Sequence, residues 1–367
     1  MFIRKEVYKF SKGGTMKKNK DIRVFAIILI ISLSVMGSLQ MIWAPDLPAQ
    51  TPKEFYAGKT IEMVFSGGQG GGYHFWSRLV GKYLKKYTGA NVVVASKNAA
   101  GGTEAVVYTF NSKDSEGLLL CLSRGVSQVV TEALEFPGLN IKYDSSKFNY
   151  IGRLTYDVST LHVNPDKFKG IQDIRAAEKL TFGTDAPFGS VNFHVLLHVE
   201  GLGLTQARFV TGYRGGRARL LATMQGEIDG YSASYDSSVN FYKEKQLRPI
   251  CVQASERYDS APDLPTIWEL GVNKEAERWL KWGEAVDLTG RIIFAPPNIS
   301  KDKLQFLRDA MDKVVVDPKF LAEVKKAKKT VRYLNHIEIG KVVDQALSLT
   351  GEEKKHLKYM LQKKWIK

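Results

Sequence analysis

The chain has 367 residues, 44% apolar and 25% charged, a balance that excludes wholesale disorder and leaves room for one large or two ordinary domains. Its formal net charge is +15, but eight Lys/Arg against three Asp/Glu fall in residues 1–49, so the remainder carries +10. The basic residues are interleaved with acids rather than gathered in a stripe and no nucleic-acid-binding motif is present, so the charge favours small anions over nucleic acid.

In chain order, Met16–Arg23 is a basic segment, residues 24–44 (VFAIILIISLSVMGSLQMIWA) are continuously apolar, and a small-residue exit follows at Ala49. That order is the one of a secretory signal. Pro45 disfavours cleavage directly after Ala44, and about 20 apolar residues can span a bilayer, so an uncleaved anchor is the rival reading. A Pro-rich linker (APDLPAQTP) leads to KTIEMVFSG, a strand, and YHFWSRLVGKYLKKYTG, an amphipathic helix ended by Gly89. ANVVVAS, GGTEAVVYTFNSK and GLLLCLSRG continue as strand, helix and strand. Such a β-α-β-α-β run predicts a parallel sheet with crossover helices.

The middle repeats the pattern, with strands expected at LHVNP, KLTFGTD, RFVTGY, IDGYSAS and LRPICVQA. Helices are expected at IQDIRAA, VNFHVLLHVEGLG, GRARLLATMQG and SVNFYKEKQ. RIIFAPPNIS then opens a final segment with a helix at SKDKLQFLRDAMDKVVV and two basic helices beyond it. The outline is two α/β units, with the chain returning to the first: residues 52–155 and 286–367 against 156–285, after a leader at 1–49. Cys121 and Cys251 each sit in an apolar run and read as small buried hydrophobes.

Between the first strand and helix stands SGGQGGGYH, in which Gly67, Gly68, Gly70, Gly71 and Gly72 fall within six positions. A strand-to-helix turn gathers backbone N–H groups and the positive end of a helix dipole, which suits a phosphate or a carboxylate. The phosphate motifs fail in detail. A P-loop needs Lys after its last glycine, whereas Tyr73 and His74 follow Gly72. The dinucleotide fingerprint needs a third glycine where Tyr73 stands and an acid after VVVAS.

From about residue 53 to 335 the chain resembles the substrate-binding proteins of tripartite tricarboxylate transporters, also called Bug receptors. The resemblance rests on the Gly-rich loop with Arg78 one turn into the helix, SKNAAGGTEA, SEGLLLCLSRG and TFGTDAPFGSVNFH. It also rests on VTGYRGGRARLLATMQGEIDG, ERYDSAPDLPTIWELG and FAPPNISKDKLQFLRDAM. It implies an α/β, two-lobed periplasmic-binding-protein-like (type II, Venus-flytrap) clamshell that holds a small organic acid between lobes. It further implies a periplasmic, monomeric protein that hands its ligand to membrane transporter subunits, with no cofactor, no nucleic acid and no enzymatic activity. A membrane-tethered carboxylate sensor is the alternative role.

The ligand-binding set expected on this reading is Ser66, Gly67, Gly68, Gln69, Gly70, Tyr73, His74, Ser123, Arg124, Thr184, Gly189, Ser190, Tyr213 and Ser234. Arg124, at a strand end, suits a bidentate carboxylate contact. The chain departs from the family where Pro-Phe-Pro-Ala and an Asp flank the glycines: SGGQ and His74 occupy those places. Residues 273–290 are longer and more charged than the family's usual approach to the hinge, and the basic tail KKHLKYMLQKKWIK finds no family counterpart. His194 and His198 are spaced i,i+4, but HVLLH lacks the Glu of a zinc protease, so a structural role is expected for both. No nucleophile elbow or paired-carboxylate motif is evident.

Overall fold

Strands of β-branched and aliphatic residues alternate with helices throughout the computed structural model, which describes residues 50–135, 142–184, 190–213 and 215–364. The expected leader at 1–49 and Gly189 lie outside these residues. In chain order the first part runs α1 (Pro52–Tyr56), β1 (Thr60–Phe65), α2 (Gly72–Thr88), β2 (Asn91–Ser96), α3 (Thr103–Phe110), β3 (Leu119–Arg124), α4 (Gly125–Leu134) and β4 (Asn149–Arg153). The second comprises β5 (Ser159–Val163), α5 (Ile171–Ala176), β6 (Leu180–Gly183), α6 (Ser190–Gly201), β7 (Ala207–Val210), α7 (Gly216–Gln225), β8 (Gly230–Ser234), α8 (Tyr235–Lys243) and β9 (Arg248–Val252). The chain closes with α9 (Glu277–Asp287), β10 (Arg291–Ala295), α10 (Lys301–Val315), α11 (Pro318–Lys326), β11 (Leu334–Asn335), α12 (His336–Leu347) and α13 (Gly351–Lys364).

Two sheets result, ordered β11-β4-β10-β3-β1-β2 and β7-β6-β8-β5-β9. The expected parallel pairing holds for β1 with β2 and β3, and for β6 with β7 and β8. The sheets are nevertheless mixed, because β10 runs antiparallel to β3 and β4, and β5 antiparallel to β8 and β9. The chain passes from the first sheet to the second after β4 and returns before β10, and the passing strands enter against the direction of their neighbours.

Three elements have no counterpart in the sequence reading. α4 is helical although Val126, Val129 and Val130 favour a strand, because its apolar face is wholly buried against other helices. β4 (NYIGR) was hidden by its Gly and its polar ends. The charged segment 273–290 folds as α9, which buries Trp279, Leu280, Trp282 and Val286. That helix packs on α4, α6 and α12. The tail helix α13 buries Leu357 and Leu361 and packs on α4, α6 and β7, so helices attached to both sheets share one apolar core. Cys121 and Cys251 are buried and unpaired.

Where the chain returns, the two passing segments touch. Arg291 N–H donates to Thr155 O and Gly125 N–H to Gly290 O, both at 2.8 Å. Gly290 adopts φ +54, and a Cβ there would lie 2.2 Å from Thr155 O. Gly290→Ala is therefore expected to lower the free energy of unfolding by about 1–3 kcal/mol. Gly340→Ala, in open space on α12, should instead gain about 0.5–1 kcal/mol. Urea unfolding of both variants checks the contrast, and equal effects would contradict it.

Candidate functional site

After Phe65 the backbone turns through Ser66–Gly71 into α2. Gly70 takes φ +78, and Gly71 N–H closes the turn on Gly68 O at 3.3 Å. Gly68, Gln69, Gly70 and Gly71 are exposed, and Gly67 is half-buried. The departures from the family pattern find their roles here. His74 Nδ1 accepts the Gly70 N–H at 3.0 Å and its ring stacks on Phe65, so this side chain fixes the loop from within.

The serines hold the loop from below. Ser66 and Ser123 are buried, and Ser66 Oγ donates to Gly102 O at 2.9 Å and lies 3.4 Å from Ser123 Oγ. Ser96 Oγ donates to Gly67 O at 2.6 Å. Gly102, at φ +97, leaves room for Ser66: a Cβ would lie 2.7 Å from the Ser66 Cβ.

α2 begins at Gly71 with no side-chain cap and no acid in its first turn, and α4 begins in the same way after Arg124. Helix starts carry orphan N–H groups and partial positive charge. Some other helices are supplied with oxygens, as Asp317 caps α11 and Asn335 with Glu338 forms a capping box on α12, while α7 starts uncapped and acid-free as well. At α2 and α4 the chain supplies none, which is the electrostatic condition for binding an anion.

Tyr73, one residue into α2, stands beside two guanidiniums. Arg124 lies 5.3 Å and Arg291 5.1 Å from its ring centroid. Arg291, at the start of β10, donates from Nη2 to Asp157 Oδ2 at 2.6 Å, with both side chains largely buried. Ser234 Oγ, at the end of β8, donates to the same Asp157 oxygen at 2.7 Å while it caps α8. One carboxylate thus ties a residue of the first sheet to a residue of the second. Burial works to raise the Asp157 carboxyl, but the Arg291 charge and the hydrogen bonds outweigh it and hold it below the usual range. Asp236, on α8, is pushed up to about 6 by burial and by the neighbouring Asp157 charge.

The second-sheet residues expected at the site divide. Ser234 joins the cluster just described. Thr184 is buried after β6, its N–H donating to Val210 O at 2.8 Å, and its carbonyl accepts the Tyr213 N–H at 3.1 Å. Tyr213 is half-buried beside Glu227, and Ser190 opens α6. Arg291, Asp157 and Asp236 escaped the sequence reading. His194 Nε2 meets Asp287 Oδ1 at 2.6 Å, and buried His198 meets Ser232 Oγ at 3.1 Å, both within the second sheet's surroundings. Three cavities lie outside the glycine-loop cluster, of about 370, 290 and 200 Å³. The first two flank α9 and α13, and the third borders Gln253, Glu284 and Asp287.

Two mixed α/β sheets linked by passing segments, with a glycine loop at the strand ends, define a periplasmic-binding-protein-like fold. Solved structures share it. BugD, a periplasmic binding protein, is 18% identical and aligns with a TM-score of 0.64 over 85% of this chain and all of its own. MatC from Rhodopseudomonas palustris with bound malate gives 17% and 0.62 over 83% and 99%, and an R. palustris protein with adipate 15% and 0.65 over 86% and 99%. A protein encoded in the TAR-I ttuE-ttuC' intergenic region of Agrobacterium vitis is 23% identical over 72% of this chain and 74% of its own. Residues 77–355 match the tripartite tricarboxylate transporter family receptor profile, and the chain belongs to that family. Its relatives are solute-binding receptors, not enzymes.

The carboxyl pair makes stability depend on pH. Asp236 has a folded pKa near 6, above the ordinary value of 3.8, so its contribution is complete below about pH 4 and lost as pH rises through 6. Asp157 acts oppositely, contributing above the ordinary value and losing that only in stronger acid. Between pH 4 and 7 the wild type should lose about 1–2 kcal/mol relative to Asp236→Asn. Urea midpoints across that range check it, and parallel curves would contradict it.

Proposed function

We propose that this protein is an exported receptor that captures a small organic carboxylate between two lobes, residues 52–155 with 286–367 and residues 156–285. One carboxylate lies at the start of α2, on the N–H groups that follow those of Gly70 and Gly71, which His74 and Gly68 already occupy. The observation that carries this reading is an uncapped, acid-free helix start at an exposed glycine loop, beside the guanidiniums of Arg124 and Arg291. Malate and adipate, held by two proteins of the same fold, are acids of the expected kind. Tyr73 supplies an apolar wall for the carbon chain, with Thr184, Ser190, Tyr213 and Ser234 on the facing lobe.

Binding shifts the population toward the closed form through contacts with both lobes. The closed receptor acts in the periplasm as a monomer and delivers its ligand to the membrane subunits of a tripartite transporter. Residues 24–44 direct the export. No described helix is long and apolar enough to cross a membrane.

The test is a thermal-shift screen of the full-length chain against mono-, di- and tricarboxylic acids and their methyl esters. A bound acid at a hundred times its Kd should add about 2.7 kcal/mol and several degrees to Tm. Its methyl ester should add nothing. Esters that stabilise as well as acids, or acids that never stabilise, would overturn the reading.

A further inference from the structure

Arg291 faces two carboxyl groups, Asp157 and Asp236. Asp157, on the passing segment, accepts from its Nη2 through Oδ2, the oxygen that Ser234 Oγ also reaches. Asp236, in the first turn of α8, lies beside both members of that pair. Three more ionisable groups face Asp236. The Tyr258 hydroxyl, after β9, stands 3.3 Å from its Oδ2, Tyr235 precedes it on α8, and Lys329 approaches from the loop after α11.

The second Asp157 oxygen, Oδ1, is buried and accepts no hydrogen bond from any described N–H or hydroxyl. The Asp236 side chain nevertheless hydrogen-bonds that of Asp157. Ionised carboxylates are acceptors only, so two of them join only through a proton that one of them carries. Like charges sharing a site favour that proton, and burial adds to the effect at Asp236 while Arg291 opposes it. Asp157 is held ionised by Arg291, which leaves the proton to Asp236.

We propose that Asp157 and Asp236 form a proton site coupled to ligand capture: an anion seated beside Arg291 draws one proton from solvent onto Asp236, whose O–H then donates to Asp157 Oδ1. The start of α2 adjoins this site, since a Cβ on Gly72 would lie 3.8 Å from Arg291 Nη2 and the Tyr73 ring centroid lies 5.1 Å from the guanidinium. A ligand carboxylate there brings a third negative charge to one guanidinium, and the proton taken up offsets it. Linkage is reciprocal, so the bound acid tightens as pH falls. Asp236 is thus a positioning residue: protonated, it ties α8 to the passing segment and leaves Arg291 to the ligand. The coupling rests on the carboxylate-receptor reading above, whereas the proton site does not.

The experiment has a ligand-free arm and a ligand arm. In the full-length chain labelled with carbon-13 at its aspartate carboxyls, one signal, lost in Asp236→Asn, should titrate well above the others. Aspartates that all titrate in the ordinary range would overturn the proton site. Isothermal titration with malate and adipate, repeated in buffers of different ionisation enthalpy, then counts the protons taken up. Wild type should bind at least about threefold more weakly at pH 8 than at pH 6.5 and should take up a proton. Asp236→Asn, whose amide N–H stands in for the carboxyl O–H, should hold the lower-pH affinity across that range with no uptake. Asp157→Asn should abolish the uptake as well, because Asp236 then ionises against Arg291. An acid that binds with neither pH dependence nor proton uptake would overturn the coupling and leave the carboxylate reading standing. Binding of neither acid, with the aspartate signal titrating as expected, would overturn the carboxylate reading and the coupling with it and leave the proton site standing.

Discussion

The contact between Arg291 and Asp157 is the point on which the two halves of this molecule converge. Arg291 begins the strand that re-enters the first sheet, Asp157 lies on the segment that leaves it, and Ser234 closes a strand of the second. Breaking such a pair by removing one partner costs about 3–5 kcal/mol, because the remaining charge stays buried. The bond also determines where charge stands beside the glycine loop. It carries a guanidinium to the mouth of the glycine loop and sets a carboxylate behind it. Asp236 sits close enough to that carboxylate for the two to titrate together.

Around this junction the packing is continuous rather than hinged at two strands alone. α9 lies between helices attached to both sheets, with Trp279 and Leu280 in the core and Trp282 Nε1 donating to Ala346 O at 2.8 Å. The tail helix adds buried Leu357 and Leu361, and its Lys354 and Lys358 face Glu135 beyond α4. Any motion of one sheet against the other must therefore slide or repack these helices as well as bend the passing segments. Packed interfaces of this kind favour discrete arrangements over gradual deformation.

Much of this was legible from the residues. The repeated alternation of apolar runs with 3.6-period segments pointed to two α/β units, which the two sheets match, and five glycines between a strand and a helix marked the loop from which the carboxylate proposal starts. Tyr73, expected at the ligand, stands beside the loop against Arg124 and Arg291, and Trp76 is buried. Arg291 was not legible, because RIIFA reads as an ordinary buried strand. Its meaning comes only from antiparallel pairing with Arg124, a partner far away in sequence. Asp157 and Asp236 are likewise unremarkable in their local sequence and acquire a role only when the passing segment meets the end of β8. His74, which stands where the family has an Asp and was expected at the ligand, accepts the Gly70 N–H and is part of the loop's own scaffold.

The most direct test of the central claim is where a carboxylate touches the chain. Backbone amide chemical shifts of the isotopically labelled, full-length protein, followed while malate or adipate is added at pH 7, read this residue by residue. An acid seated at the helix start should shift the amides of Gly72 and Tyr73 most strongly, together with the side-chain N–H signals of Arg124 and Arg291. Shifts concentrated instead at the cavities beside α9 and α13, or a spectrum that neither acid changes, would contradict it.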